Sequence, residues 1–183
     1  MSAMRRLTML DLSFNIPDVP QPERIPPVVA RILLGGSVDA YTGFLPGIFE
    51  EALVTLQHSR PLYVLGGFGG AAEVLGRTML ATGSDRPPEL TLAWHKERNA
   101  ALAKLLESAQ QFTLPPGYSS TEGLLDALFA LMLQARSNLS GTLNTGLSDQ
   151  ETRELLTTRN VADAVHLVRT GLINQNKLPI LPA

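Results

Sequence analysis

A run of glycines directly after a short apolar segment limits what this chain can fold into. Residues 61–65 read Pro-Leu-Tyr-Val-Leu, the next five read Gly66-Gly67-Phe68-Gly69-Gly70, and residues 70–81 have the apolar spacing of a helix. Glycine accepts backbone dihedrals that other residues avoid, so such a run suits a sharp turn from a buried strand into a helix. The pattern predicts a strand, a glycine loop and a helix in succession.

A similar pattern lies upstream of this one. Residues 28–34 are apolar almost throughout and end at Gly35-Gly36, which predicts a strand buried on both faces. Pro46 marks the start of a helix with an apolar stripe, which should end near residues 58–60. Two strands and two helices that alternate within about fifty residues predict a βαβ unit with parallel strands and a further helix.

The rest of the chain reads as helical. Predicted helices cover residues 94–111, residues 121–136 behind an N-cap at Ser120, residues 149–157 behind a Ser148–Glu151 capping box, and residues 161–171 behind Asn160. We predict a short helix over residues 1–12, an extended proline-rich connector over residues 15–27, and an extended C-terminal tail. The fold class is α/β: a Rossmann-like, partly parallel sheet flanked by helices, with a helical C-terminal part.

Composition narrows the functional class. The chain has 183 residues, of which 44% are hydrophobic and 17% charged, as in a folded globular domain. A net charge of -2 without a basic run gives no indication of nucleic-acid binding. The absence of cysteine excludes disulfides and thiolate chemistry, and no apolar stretch reaches the roughly 18 residues that span a bilayer. We expect a cytoplasmic protein without a membrane segment.

The position of the glycine loop suggests a ligand site. A loop that follows a parallel strand lies at the carboxyl edge of the sheet, where open α/β sheets bind ligands. Unpaired amides at a helix N-terminus attract phosphate, and a second helix N-terminus at Pro46-Gly47 should lie nearby. Two such termini suit a ligand with two phosphates, such as ADP-ribose or a dinucleotide. The alternative is that the glycines only form a tight turn, because short glycine motifs are weak signals.

Neither standard phosphate motif is present. No Gly-Lys-Ser/Thr follows the loop, so it is not a Walker A motif, and the GGxGG spacing differs from the GxGxxG of dinucleotide-binding folds. Magnesium-dependent phosphoryl transfer is therefore not expected.

Three segments together resemble a known group of sensor domains. They are residues 30–36, 43–53 and 61–72, and they are similar to the SLOG superfamily, a distant relative of Lonely Guy and DprA proteins. The branch they resemble is related to TRPM channel sensor domains and to SLOG domains of bacterial anti-phage effectors such as those of Thoeris systems. Residues 144–153 and 165–172 extend the resemblance. We therefore place the domain at residues 28–172, after a lead-in at 1–27 and before a tail at 173–183.

The resemblance implies a sensor rather than an enzyme. Such domains bind NAD-derived nucleotides, for example ADP-ribose or a cyclic ADP-ribose-like signal, then change their assembly and switch on an effector in the same or a partner chain. A homo-oligomer is implied, with no cofactor besides the nucleotide and no metal. The expected ligand-binding residues are Gly35, Gly36, Tyr41, Gly43, Phe44, Pro46, Gly47, Glu50, Gly66, Gly67, Phe68, Gly69 and Gly70.

Hydrolysis is the alternative function. Lonely Guy-type phosphoribohydrolases carry PGGxGTxxE, but here the proline and threonine are missing and Glu73 lies one position beyond the motif's glutamate. One position on a helix is a rotation of about 100°, which turns the carboxylate away from the site. A third possibility is an assembly module that binds no nucleotide.

The resemblance also implies more sheet than this chain predicts. Domains of the family carry further N-terminal strands, and two strands are too few for a stable open sheet. We expect either that the chain is the C-terminal portion of a larger SLOG domain or that a partner supplies the missing strands. Residues of the later helices could cover the sheet or pack against another subunit. The candidates are Leu124, Leu125, Leu128, Phe129 and Met132.

Several single side chains allow two interpretations. Adjacent Glu50 and Glu51 point about 100° apart, so at most one should face the ligand, and either could instead serve only the helix N-terminus. Arg77 could pair with Glu73 one turn earlier or bind phosphate.

The aromatic and histidine side chains are weighed in the same way. Phe68 and Tyr41 are the expected contacts to a base or ribose, whereas Trp94 is expected in the core. His58, His95 and His166 lack ligand-like spacing and are expected at the surface or at helix ends.

Overall fold

The computed structural model describes residues 12–14, 23–25, 28–107, 114 and 117–178. The strands are β1 (Leu12–Phe14), β2 (Glu23–Ile25), β3 (Arg31–Leu34) and β4 (Leu62–Leu65). The helices are α1 (Gly47–Gln57), α2 (Gly70–Leu80), α3 (Leu92–Arg98), α4 (Ala100–Glu107), α5 (Thr121–Ser137), α6 (Leu139–Leu143), α7 (Asp149–Thr157) and α8 (Val161–Asn174). Short 3-10 turns cover Gly66–Phe68 and Pro88–Leu90.

The predicted βαβ unit is present. Strands β3 and β4 pair in parallel, with Ile32 opposite Tyr63 and Leu34 opposite Leu65, and α1 connects them. The glycine loop then leads into α2 as the sequence predicts. The fold is therefore α/β, with a Rossmann-like core flanked by helices.

The N-terminal predictions need correction. Leu12 belongs to β1, not to a helix, and β1 pairs antiparallel with β2. Strand β2 lies inside the proline-rich segment predicted to be irregular. The prolines of that segment flank β2 but do not interrupt it, because Glu23–Ile25 contains none. The predicted helix over residues 1–11 and the rest of the connector before residue 28 lie outside the described residues.

The predicted caps set most helix ends. Ser120 accepts a hydrogen bond from the Gly123 amide, and Ser148 and Glu151 form the reciprocal capping box. Two ends differ from the prediction. The segment from residue 94 is broken at Asn99, with residues 108–111 undescribed, and α8 continues past Gly171 to Asn174.

The apolar side chains form two clusters. The first cluster contains Leu33 and apolar side chains of α1, α2 and α5. The second cluster contains Tyr63 and apolar side chains of α7 and α8. Of the residues predicted to cover the sheet or contact another subunit, Leu124, Leu125, Leu128 and Met132 are fully buried in the first cluster, and Phe129 packs against it. These side chains cover the chain's own sheet, so none of the four is free to contact a second subunit.

Strand β3 is less covered than predicted. Its Leu33 is fully buried, but Ile32 and Leu34 are 51% and 54% exposed. The expectation of burial on both faces is therefore wrong, because the described residues leave the face that carries Ile32 and Leu34 about half uncovered. Within the described part of the chain, β3 pairs only with β4. No helix among the described residues is long and apolar enough to cross a membrane.

Candidate functional site

The two glycine turns lie side by side, as the sequence predicts. The backbone N–H groups of Ala71 and Ala72, in the first turn of α2, donate to the carbonyl oxygens of Gly36 and Gly35, both at 2.9 Å. Gly35 and Gly36 have positive φ angles of 61° and 87°, which favour glycine. A side chain at Gly70 would lie 2.4 Å from the Gly36 oxygen, so the turns are in direct backbone contact.

This contact occupies amides that were expected to bind phosphate. Besides Ala71 and Ala72, the Gly69 amide donates to the Gly66 carbonyl at 3.2 Å. The expectation of free amides after Leu65 is therefore wrong for these three. Among the first-turn amides of α2, only that of Gly70 has no partner within the described residues. The carbonyl oxygens of Gly35 and Gly36 therefore occupy the position at the start of α2 where an anion was expected to bind.

The glycine loop also packs against the end of α7. A Cβ at Gly67 would lie 2.0 Å from the Thr158 carbonyl oxygen, and one at Gly66 would lie 2.5 Å from that of Leu156. Carbonyls at a helix C-terminus carry partial negative charge and repel phosphate. Close packing thus explains why these two positions are glycine.

The N-terminus of α1 is more open. Its first intrahelical hydrogen bond runs from the Glu50 amide to the Pro46 oxygen at 3.0 Å. The amides of residues 47–49 have no acceptor among the described residues, as expected for a helix start without a side-chain cap. Gly36 lies against this turn, since a Cβ there would be 2.3 Å from Cγ1 of Ile48. The upstream glycine turn therefore lies between the first turns of α1 and α2.

A cleft of about 540 Å³ opens at the start of α1. It is lined by Ala40, Tyr41, Thr42, Gly47, Asn99 and Ala101. Tyr41 and Gly47 were predicted as ligand contacts, and residues 40–42 form one wall. The opposite wall, from Asn99 and Ala101, was missed. An asparagine that interrupts a helical pattern is the signal that could have located it, because asparagine favours helix caps.

Asn99 fixes the loop in place. It is buried, its Nδ2 donates to the Tyr41 carbonyl at 3.0 Å, and its Oδ1 accepts from the Leu102 amide at 3.0 Å. One side chain thus starts α4 and holds the middle of the loop.

The Tyr41 side chain carries an unused polar group. Its hydroxyl is buried and forms no hydrogen bond of normal geometry with a described residue. Burial raises the pKa of this phenol well above its ordinary value, and the Asn99 side chain opposes the rise only in part. The hydroxyl therefore stays protonated and can donate a hydrogen bond at neutral pH.

His95 lies in the last turn of α3, which agrees with the expected helix-end position, but it is buried behind Tyr41 and not at the surface. It is fully buried, and its ring makes edge contacts with Tyr41, Phe49 and Trp94 at centroid distances of 5.5, 6.3 and 5.1 Å. Burial lowers the pKa of His95, and Glu89 offsets this only partly. Trp94 has its ring in this cluster, with the Arg98 guanidinium 4.8 Å from its centre.

Other predicted contacts point elsewhere. Phe44 is buried in the first cluster, and Phe68 packs against the second, so neither side chain lines the cleft. Glu51 pairs with Arg31 at 3.1 Å, and Glu50 is 4% exposed.

The Arg77 pairing differs from the prediction. Arg77 pairs with Glu89 of the second 3-10 turn, not with Glu73, whose side chain is exposed.

Gly43 has a φ angle of 113° and open space beside it, next to the cleft-lining Thr42. Within the described ranges, no three histidine, aspartate or glutamate side chains group as a metal site.

Comparison with known families identifies the chain. No curated protein and no solved structure shows a significant match. One family model matches residues 25–155, most of the predicted domain and more than half of the chain. Its description is SLOG cluster2, in agreement with the resemblance found in the glycine segments. The chain belongs to the SLOG cluster2 family.

Proposed function

We propose that this SLOG domain senses an NAD-derived nucleotide, ADP-ribose or a cyclic ADP-ribose-like signal, bound in the cleft at the start of α1. The observation that carries the proposal is the cleft itself, where Gly47 begins a helix whose first three amides have no partner among the described residues, beside Tyr41. A helix N-terminus of this kind attracts phosphate through its amides and its dipole. The cleft volume of about 540 Å³ is within the range of small-ligand sites.

The ligand would lie along three surfaces. Its phosphates would contact the amides of Gly47 and Ile48 behind Pro46, and the Gly35-Gly36 turn and Gly43 would allow a close approach. Its ribose or base would contact Tyr41 and the Asn99–Ala101 wall. In this arrangement the glycine loop acts indirectly, because the amides beyond Gly70 hold the Gly35-Gly36 turn in place.

The consequence of binding is proposed from the family resemblance. Ligand contacts to the loop at residues 39–44 would alter the assembly of the domain and regulate an effector in the same or a partner chain, in bacterial anti-phage defence. A ligand can shift such an equilibrium only through its different affinity for the two states. The loop fits this role because it joins the cleft to α3 and α4 through Asn99.

Calorimetric titration with ADP-ribose, NAD and cyclic ADP-ribose isomers tests the binding site. We expect Gly47→Asp to lower the affinity for the nucleotide roughly tenfold or more, because the new carboxylate repels phosphate at the same amides. The same carboxylate stabilises a helix N-terminus, so the unfolding temperature should not fall. Gly47→Ala is the matched control and should bind nearly as well as the parent.

Two results would contradict this site. Absence of binding by all these nucleotides would favour an assembly module, and unchanged affinity of Gly47→Asp would place the ligand elsewhere. Release of free base from adenosine monophosphate should be followed in the same samples. Release that disappears in Glu73→Gln would replace the sensor with a Lonely Guy-type hydrolase.

A further inference from the structure

An apolar groove runs along α8 on the face of the sheet that carries Ile32. Its volume is about 300 Å³, and the lining side chains Ile32, Val165 and Leu178 are 51%, 60% and 41% exposed. The rest of the described lining is aliphatic apart from Arg169, and it comprises Leu65, Ala164, Val168 and Leu172. Exposed aliphatic surface that is gathered in one groove marks a site for an apolar segment or ligand.

The end of α8 returns the chain to this groove. Asn176 has a left-handed φ angle of 55°, and its amide donates to the Ile173 carbonyl at 2.9 Å. The Lys177 amide donates to the Leu172 carbonyl at 2.8 Å. These two bonds form the Schellman turn that commonly ends a helix. Leu178 follows and lines the groove, so the next part of the chain begins there.

The composition of residues 179–183 suits an aliphatic groove. These residues lie outside the described part of the chain and read Pro-Ile-Leu-Pro-Ala, without a charged or polar side chain. A proline disfavours the helical conformation of the residue before it, so the helix should not resume at Leu178. Two of the five residues also lack an N–H group, so fewer donors would lose water against a lining that offers no acceptor side chain.

The reach of the segment matches the groove. Five extended residues span about 17 Å, at about 3.3 Å per residue. Residues 164–172 of α8, which bound the groove, rise by about 12 Å. A segment that starts at Leu178 can therefore run the whole length of the groove.

We propose that residues 179–183 of the same chain occupy this groove, running back along α8 from Leu178 toward Ala164. Ile180 and Leu181 supply the apolar contacts. The attachment at Leu178 favours this occupant over a separate molecule, because a short tether holds the segment at a millimolar effective concentration. A separate partner would need a larger contact area to bind stably. The segment covers the face of β3 and leaves its outer edge free.

Disulfide crosslinking tests the position of the segment. The chain has no cysteine, so a pair introduced by substitution reports only its own contact. A disulfide forms when two Cβ atoms approach within about 4.5 Å. We expect Ile180→Cys or Leu181→Cys to crosslink with Val165→Cys in dilute protein under mild oxidation, giving a product that contains one chain.

The matched control pairs each tail cysteine with Ala130→Cys. Ala130 is exposed on α5 and does not line the groove, so crosslinking there should be much slower. If neither tail cysteine reacts faster with Val165→Cys than with Ala130→Cys, the segment does not lie in the groove and the proposal fails.

A chain that ends at Leu178 provides a second test without cysteine. Exposure of the groove should increase the fluorescence of 1-anilinonaphthalene-8-sulfonate severalfold, and the unfolding temperature should fall by roughly 2–4 °C. Ile180→Ser combined with Leu181→Ser in the 183-residue chain should reproduce both changes, which separates loss of apolar contact from loss of chain length. Equal fluorescence and equal unfolding temperatures for the three proteins would mean that the groove is open or holds another occupant, and would overturn the proposal.

Discussion

At the scale of single residues, His95 combines full burial with a titratable ring. Its ring neighbours Tyr41, Phe49 and Trp94 offer aromatic edges and faces, and the opposing effect of Glu89 is smaller than that of burial. Such surroundings favour the neutral imidazole, and the lowered pKa of His95 agrees with this. Protonation would therefore disturb the wall of the cleft at Tyr41.

This environment predicts a pH-dependent stability. The unfolded chain binds a proton at His95 near pH 6.5, whereas the folded chain binds it only at lower pH. Stability should thus be complete above about pH 6.5 and fall on acidification toward the lowered pKa, by up to about 1.4 kcal/mol per pH unit. We expect the free energy of unfolding of His95→Phe to fall less on acidification than that of the parent chain. Urea unfolding between neutral and mildly acidic pH measures this difference.

His166 provides the control for that experiment. It is exposed on α8, so His166→Gln should retain the pH dependence of the parent chain. If His95→Phe and the parent lose stability in parallel on acidification, the buried imidazole is not the titrating group.

At the scale of elements, the glycine loop allows close packing between α2, the end of α7 and the Gly35-Gly36 turn. Gly67→Ala would place a methyl group 2.0 Å from the Thr158 carbonyl oxygen, and a backbone atom cannot move aside as a side chain does. We expect this variant to lose about 3 kcal/mol or more of unfolding free energy. Gly69→Ala meets no atom but must adopt φ 86° and ψ −172°, a region essentially confined to glycine, which costs about 1–3 kcal/mol.

Chemical denaturation of both variants measures the difference. If Gly67 serves only the approach of a bound phosphate, Gly67→Ala should unfold like the parent in the absence of nucleotide, whereas Gly69→Ala should still show its backbone strain. Equal and small losses would therefore contradict the packing role that the structure assigns to Gly67.

The sequence predicted those elements whose signals are local. Ser148 and Glu151 make the box that starts α7, and Pro46 precedes α1, because caps and prolines act within one turn. The break at Asn99 was missed because apolar spacing continues across it. The side chain that compensates for the break contacts Tyr41, 58 residues away, and no local pattern contains that contact.

The candidate site could be predicted only in outline. Glycine spacing correctly placed the two turns together, but the direction of the amides depends on which acceptors pack nearby. The carbonyls of Gly35 and Gly36 are such acceptors, and only the assembled fold brings them to Ala71 and Ala72. The exposure of Ile32 likewise depends on what packs against its face of β3, which the composition of the strand does not reveal.

At the scale of the whole molecule, one side chain links the sheet to the C-terminal helices. Tyr63 of β4 is fully buried, and its hydroxyl donates to the Thr145 carbonyl at 2.8 Å, 82 residues along the chain. Burial raises the pKa of this phenol to about 12, so the donor is protonated at neutral pH. Gly171 of α8 packs tightly on the same ring, since a Cβ there would lie 2.8 Å from the hydroxyl oxygen.

Removal of this hydroxyl should loosen one whole layer of the molecule. Tyr63→Phe leaves the buried Thr145 carbonyl without its donor, at a cost of about 1–3 kcal/mol in unfolding free energy. Tyr118→Phe is the matched control, because among the described residues its hydroxyl accepts only from the exposed Gln57 side chain, and its loss should cost about 0.5 kcal/mol or less. Hydrogen exchange should show that the amides of α7 and α8 exchange faster in Tyr63→Phe than in the parent chain, while those of α5 stay protected. Equal acceleration in all three helices would mean that the C-terminal layer and the first core cluster unfold as one unit, and that Tyr63 does not control their docking.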